Sequence, residues 1–177
     1  QAIIRIYDKG SLVTEKIGKV FQTIELPIAQ PKLWSPDSPF LYDVEIELRS
    51  NNQTVDKVKS YFGMRKISMG SENGKACFML NNKPIFQFGP LDQGFWPDGL
   101  YTAPSDDALI FDIEQTKALG FNMSRKHIKV EPARWYYHCD RLGLLVWQDM
   151  VNAGSDQNLL GDDEWVKKNF LSECDHI

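Results

Sequence analysis

Arg125 and His127 stand two residues apart in GFNMSRKHIKVEPARWYYHCDRLGLLVWQD, residues 120–149, and the stretch closes on a lone Asp149. A guanidinium, an imidazole and a carboxylate are the side chains that grip and orient polar ligands and move protons. Trp147 precedes Asp149 by two residues, and the upstream segment GPLDQGFWPDGLYTAPS adds Asp92, Phe95, Trp96, Asp98 and Tyr101. Sugars need this mixture, rings for their C–H faces and charged or polar groups for their hydroxyls. The candidate ligand-binding residues are therefore Arg125, His127, Asp149, Trp147, Asp92 and Trp96.

Each of them also has a plain structural reading. Arg125 could pair with an acid such as Asp149 and hold two strands together. His127 could be a satisfied structural group, and Asp149 the N-cap of a short turn. Trp96 and Trp147 could be packing residues. Lys126 and Lys129 are expected in solvent.

The elements that must position these residues follow a change of period. Residues 1–69 read as strands: AIIRIYD, a KGS turn, LVTEKIGKV, and then LYDVEIELRS, with Leu41, Val44, Ile46 and Leu48 opposed to Asp43, Glu45 and Glu47. That alternation predicts a half-buried strand. NNQ turns the chain, and TVDKVKSYFGMRKISM carries the return. Short strands with turns between them suggest an antiparallel sandwich, here with only four or five strands and so lacking its beginning.

From residue 70 to 177 the period changes. CFMLNNKPIFQFG predicts a hairpin with a strand ending at Gly89. A helix is expected at 105–119, with Ser105 as N-cap and Gly120 as its stop. FNMSR is the next strand, and Pro132 opens a second helix whose stripe is Trp135, Tyr136, Cys139 and Leu142. Gly143 ends it, LLVWQ is a third strand, and a third helix carries Val166, Phe170 and Cys174. The order β-α-β-α-β-α implies parallel strands with right-handed crossovers. In such architectures sites collect at the carboxyl ends of strands, which is where Arg125, His127 and Asp149 fall.

Composition narrows the classes. The chain has 177 residues, a formal charge of −4 and 42% hydrophobic residues, an ordinary globular balance. No Lys/Arg cluster supports nucleic-acid binding, and no apolar run reaches the roughly 20 residues of a membrane span. Cys77, Cys139 and Cys174 fit neither a zinc pattern nor a disulfide framework. Cys139 and Cys174 are expected as small buried hydrophobes. No cofactor is expected, and no residue cluster supports a metal. The chain begins at Gln1 on an apolar run rather than at Met, so it is expected to be cut from a larger protein. The sequence does not fix a compartment; for a bacterial parent it favours the periplasm or secretion over the cytoplasm.

The 120–149 segment resembles glycoside hydrolase family 2, the β-galactosidase, β-glucuronidase and β-mannosidase group. Members read Asn-x-x-Arg-x-x-His or a close variant, then Pro, a helix, Asp-x-x-Gly and four apolar residues. Here these are Asn122, Arg125, His127, Pro132, Asp140, Gly143 and LLVW. The chain departs at three points: one residue, Lys126, separates Arg125 from His127; IKVEP replaces Tyr-Pro; and the last strand ends in WQDM where many members have Asp-Glu. KLWSPDSPFLYDVEIEL, residues 32–48, resembles a strand of that family's immunoglobulin-like domain, FGMRKISM its exit, and FMLNNKPIFQFG the entry hairpin of its (β/α)8 barrel.

The resemblance implies a fold of β plus α/β type. Residues 1–69 would be a partial immunoglobulin-like β-sandwich, and residues 70–177 the first βα units of a TIM barrel. It implies a retaining β-glycosidase whose Arg125 and His127 line the sugar subsite beside the scissile bond, with Asp149 and the Asp92–Asp98 loop near the same pocket. Its partners would be a carbohydrate substrate and the remainder of the parent chain. Retaining enzymes need two carboxylates about 5–5.5 Å apart. In the family these are the Glu of an Asn-Glu pair on barrel strand four and a Glu on strand seven. This chain has no Asn-Glu dipeptide, and Glu114, Glu131, Glu164 and Glu173 match neither position. Both catalytic residues are expected beyond Ile177, and the chain alone is expected to be inactive. The rival reading is a non-catalytic module that binds carbohydrate or scaffolds a partner.

Overall fold

The computed structural model describes residues 1–151 and 164–175. The chain forms two compact units, Gln1–Gln87 with Asp140–Gly143, and Phe88–Cys139 with Leu144–Ile177.

In the first unit, β1 (Ala2–Asp8), β2 (Ser11–Gly18), β3 (Tyr42–Ser50) and β4 (Gln53–Phe62) make an antiparallel sheet of order β2-β1-β3-β4. β5 (Ile67–Glu72), β6 (Lys75–Leu80) and β7 (Lys83–Pro84) make a second, three-stranded sheet. Asn51 and Asn52 both have positive φ, as do Asn73 with Gly74 and Asn81 with Asn82. Two successive residues of that kind give the type I′ turn whose twist suits a hairpin.

The alternation read from LYDVEIELRS is only half kept. Ala2, Ile4 and Ile6 of β1 lie opposite Leu48, Ile46 and Val44, which makes one apolar face. Leu48 of that face is nevertheless exposed, while Glu47 on the other face is buried at 5% exposure. An ion cluster explains the reversal. Arg5 reaches Glu15 at 2.5 Å, Glu45 at 3.0 Å and Glu47 at 2.8 Å, and Glu47 also takes Arg49 and the Thr54 hydroxyl at 2.6 Å each. Burial of a carboxylate is tolerable when its oxygens are this well supplied.

The Thr54 hydroxyl, followed by Arg5 and Arg49, holds the Glu47 carboxyl down at about 2, against an ordinary 4.5. A carboxyl depressed in the folded state contributes stability that is complete above its unfolded value and lost as pH falls through its folded value. The cluster should therefore hold at full strength down to about pH 4.5 and dissolve between there and about pH 2. Carboxyl ¹³C chemical shifts of Glu47 followed through an acid titration would test this. A midpoint near 4.5 would mean that the cluster does not hold in solution.

Trp34, fully buried, anchors the later part of the unit. Its indole N–H donates to the Asp140 carbonyl at 2.6 Å, and Arg65 lies over its ring at 4.5 Å. Asp140 accepts from Arg65 at 2.7 Å and from the Tyr61 hydroxyl at 3.1 Å. Asn81 donates to the Trp34 carbonyl and accepts from the Lys66 backbone. These bonds gather β5–β7 and Asp140–Gly143 with the preceding strands, so the division between units falls at residues 87–88, later than the change of period at 69–70.

In the second unit β8 (Leu91–Asp92), β9 (Met123–Lys126) and β10 (Leu145–Gln148) form a parallel sheet of order β10-β9-β8. Helices α1 (Asp106–Ala118), α2 (Ala133–Leu142) and α3 (Glu164–Cys174) alternate with them. Ser105 caps α1 by accepting from the Ala108 N–H, and Asp106 and Asp107 sit at the positive end of its dipole. Gly120, at φ +89°, ends it. Leu109 and Ile113 of α1 are buried, as are Trp135 and Cys139 of α2.

Two expectations are corrected here. The first parallel strand is Leu91–Asp92, after Gly89 rather than ending on it, because residues 88–90 are the lead-in that first meets β9: Phe88 and Asn122 exchange bonds before Pro90 accepts from Arg125 N–H. Cys139 is buried but Cys174 is exposed. α3 has the expected stripe, yet no residue of it is buried against the described residues. No helix among the described residues is long and apolar enough to cross a membrane.

Candidate functional site

The register of the parallel sheet decides what faces what. Leu91 and Trp147 lie level with Arg125, while Asp92 and Gln148 lie level with Lys126. Neighbouring side chains alternate between faces along a strand. Arg125 and Trp147 therefore share one face, and Asp92, Lys126 and Gln148 the other.

On the first face Arg125 and Asp149 form a two-pronged pair. Arg125 Nε donates to Oδ1 at 3.0 Å and Nη2 to Oδ2 at 2.9 Å. This is the fork geometry in which guanidinium and carboxylate are most strongly and directionally held. The Arg125 hydrogen bond keeps the Asp149 carboxyl below its ordinary range, with partial burial opposing. Asp149 in turn raises Arg125. Asp149 is thus anionic at neutral pH, an acceptor rather than an acid. The pair is still open to a ligand, since the Arg125 side chain is 47% exposed. Trp147 is likewise exposed.

His127 follows β9. Its backbone N–H donates to the Asp92 carbonyl at 2.8 Å, and its Nδ1 lies 3.1 Å from Gln93 Nε2. His127 is also a smaller cause of the lowering at Asp149, after Arg125. Arg125, His127, Asp149 and Trp147 thus gather at the carboxyl ends of β9 and β10.

The second face holds a group that the sequence reading sent to solvent. Lys126 is 1% exposed and Lys129 is 7% exposed. Lys126 Nζ donates to Asp92 Oδ2 at 2.5 Å and to Glu131 Oε1 at 3.0 Å, with the Trp135 ring 4.4 Å away. Lys129 Nζ donates to the same Glu131 oxygen at 2.8 Å and to the carbonyls of Gly94 and Tyr101 at 2.7 and 2.8 Å. Two ammoniums and two carboxylates balance, which is the condition for burying charge. Gln148 joins them, accepting from the Tyr136 hydroxyl and donating to the Lys129 carbonyl.

Asp92 consequently does not join Arg125. Its Oδ1 caps the Gly94 N–H at 2.7 Å while Oδ2 holds Lys126. It lines a cleft of about 510 Å³ with Gln93, Phe95, Asp112, Gln115 and Ser124, and without Arg125, His127 or Asp149. Burial and the nearby Asp92 charge raise the Asp112 carboxyl, with Lys126 opposing. Trp96 sits in the loop after β8, where it exchanges backbone hydrogen bonds with Leu100. Its indole nitrogen is buried and finds no acceptor among the described residues. Phe95 and Tyr101 meet beside it with ring centroids 4.6 Å apart.

Lys126, Lys129, Glu131 and Gln93 are the residues that the sequence reading missed. A signal existed. β9 lies between two parallel neighbours and buries three of its four residues, so a lysine on the face opposite Arg125 had to find carboxylates, and Glu131 is the nearby acid. Among the described residues no cluster of His, Cys, Asp or Glu could hold a metal ion.

The sequence model of glycosyl hydrolases family 2 matches residues 4–65. A β-galactosidase of Lactococcus lactis subsp. lactis is 32% identical over 146 residues, 82% of this chain. The chain belongs to glycosyl hydrolase family 2. A β-galactosidase of Pseudoalteromonas haloplanktis is 33% identical over 128 residues, 72% of the chain. The crystal structure of Parabacteroides merdae β-glucuronidase superposes with a TM-score of 0.73 at 23% identity, over 88% of this chain and 20% of that one. This likeness shows a shared fold over most of the chain. The chain spans 14% and 12% of the lengths of the two β-galactosidases.

Proposed function

We propose that the chain is part of a retaining β-glycosidase and supplies one wall of its sugar pocket. In this reading the first unit is the immunoglobulin-like domain, and the parallel β8–β10 sheet with its helices begins the (β/α)8 barrel. The observation that carries it is the exposed Arg125–Asp149 fork, with His127 and Trp147 beside it, at the carboxyl ends of adjacent parallel strands. Family 2 relatives named β-galactosidase support the reaction class.

The chemistry assigned to these residues is binding and orientation. Asp149, fixed as an anion, accepts from sugar hydroxyls. Arg125, neutralised by Asp149, keeps exposed N–H donors without adding net charge. Trp147 offers a ring to the C–H face of the pyranose. Asp92 supports the loop from the opposite face of the sheet, and Trp96 belongs to that loop. The acid/base and nucleophile, two carboxylates about 5–5.5 Å apart, come from outside this chain.

The test is hydrolysis of nitrophenyl β-glycosides, galactoside and glucuronide included, by the protein encoded by the parent gene. Activity is expected, and Arg125→Ala should lower kcat/KM by about 10²-fold, as loss of a positioning contact does. The isolated chain should show no turnover. Turnover by the pure chain, or a parent protein without strand-end carboxylates and without activity, would overturn the proposal.

A further inference from the structure

We infer that Gln93 is a positioning residue for His127: its side-chain amide donates to Nδ1, so that the neutral imidazole carries its proton on Nε2 and presents that N–H to a ligand oxygen. The inference rests on the reading that His127 contacts the sugar, and it adds the group that sets how His127 does so.

Its basis is a contact between residues whose backbones are independently fixed. Gln93 Nε2 lies 3.1 Å from His127 Nδ1. The residue before Gln93 is tied twice, since the Asp92 carbonyl accepts from His127 N–H at 2.8 Å and the Asp92 carboxylate holds Lys126. The residue after it is also tied twice. Gly94 N–H donates to Asp92 Oδ1 at 2.7 Å, and Gly94 C=O accepts from the buried Lys129 at 2.7 Å. Gly94 is held at φ +65°, and a Cβ there would lie 2.5 Å from Glu131 Oε1, so only glycine fits. Gln93 is therefore an exposed side chain on a pinned backbone, aimed at the imidazole of a residue whose backbone N–H is bonded to the Asp92 carbonyl.

An amide nitrogen can only donate, so the ring nitrogen facing it must accept. In a neutral imidazole the proton then belongs on the other nitrogen. Asp149 and its partner Arg125 are the charged groups nearby on the sheet, and Asp149 is occupied by the Arg125 fork. The Nε2–H is thus left as a directed donor beside an anionic acceptor. That pairing of one donor and one acceptor suits a sugar hydroxyl, which can do both.

The tautomer can be read directly. The chain has three histidines, His127, His138 and His176. Long-range ¹H–¹⁵N correlation spectra of the labelled chain at about pH 8, where a free imidazole is neutral, would be assigned by loss of one set in His127→Gln. The expected pattern is a protonated Nε2 and an unprotonated Nδ1. Gln93→Leu should abolish the preference. Gln93→Glu, nearly isosteric and able only to accept, should move the proton to Nδ1. Both changes are at an exposed side chain, and an unaltered amide spectrum elsewhere would show the fold intact. A wild-type proton on Nδ1, or a tautomer indifferent to both variants, overturns the inference. In the longer protein, Gln93→Glu should raise KM for a nitrophenyl β-glycoside several-fold with a smaller change in kcat. A moved proton with unchanged kinetics would overturn the ligand contact of His127 and leave the tautomer assignment standing.

Discussion

Glu131→Gln should destabilise the chain by about 3–5 kcal/mol, the cost of removing one partner from a buried ion cluster. Glu131 Oε1 receives both Lys126 and Lys129, and the three side chains are 3%, 2% and 8% exposed. Glutamine preserves the shape but leaves two buried ammoniums with Asp92 as the one carboxylate in salt-bridge contact among the described residues, and Asp92 is itself 34% exposed. Arg134–Asp106 serves as the comparison, because both its side chains are about half exposed. Asp106→Asn should cost no more than about 1 kcal/mol, since exposed pairs gain little over hydration. Urea unfolding with an unchanged slope would measure both. Equal small shifts would show that water reaches the cluster. The pairing itself is tested by combining Glu131→Gln with Lys129→Met. The double variant should cost less than the sum of the singles, because the second change removes a charge that the first left unpaired.

The same cluster shows why the sequence was legible in some places and not in others. Ser105, Gly120 and Gly143 could be read because caps and stops depend on the local backbone: an oxygen two or three residues before an N–H, or a residue able to take positive φ. The order of parallel strands and helices came from period, which is also local. The buried charges did not. Lys126 is held by Asp92 and Lys129 by the Gly94 and Tyr101 carbonyls, all from a segment roughly thirty residues away in the chain. Glu47 is buried for a similar reason, through an arginine on another strand. Long-range ion pairing overrides the expectation that charge marks solvent. β8 has only two residues, too few for any period to place, so Asp92 was read as part of a loop beside Arg125. Once the register is known, alternation alone sends Asp92 to the Lys126 face and leaves Arg125, His127, Asp149 and Trp147 together.

Gly89→Ala is the second change expected to have a large effect, on the order of 3 kcal/mol. A Cβ at Gly89 would lie 1.7 Å from the Met123 carbonyl oxygen and 2.5 Å from its carbon. Those are backbone atoms of β9, so no rotamer change relieves the overlap. The lead-in to β8 must instead move away from β9, against the Phe88–Asn122 exchange and the Arg125 N–H to Pro90 bond. The strain is purely steric, and Gly74→Ala separates it from the backbone cost of losing a glycine. Gly74 is at φ +77°, and a methyl group added there would have no atom within 4 Å, so alanine meets only the left-handed penalty, roughly 1–2 kcal/mol. If Gly89→Ala unfolds at the same urea concentration as Gly74→Ala, the close approach of residues 89 and 123 is not present in solution. If it unfolds earlier, and amide exchange quickens at Asn122, Arg125 and His127 ahead of the rest, the loss is at the seam between β8 and β9. That seam carries the backbone bonds of both Arg125 and His127, so a methyl group at Gly89 would loosen the site without touching any residue in it.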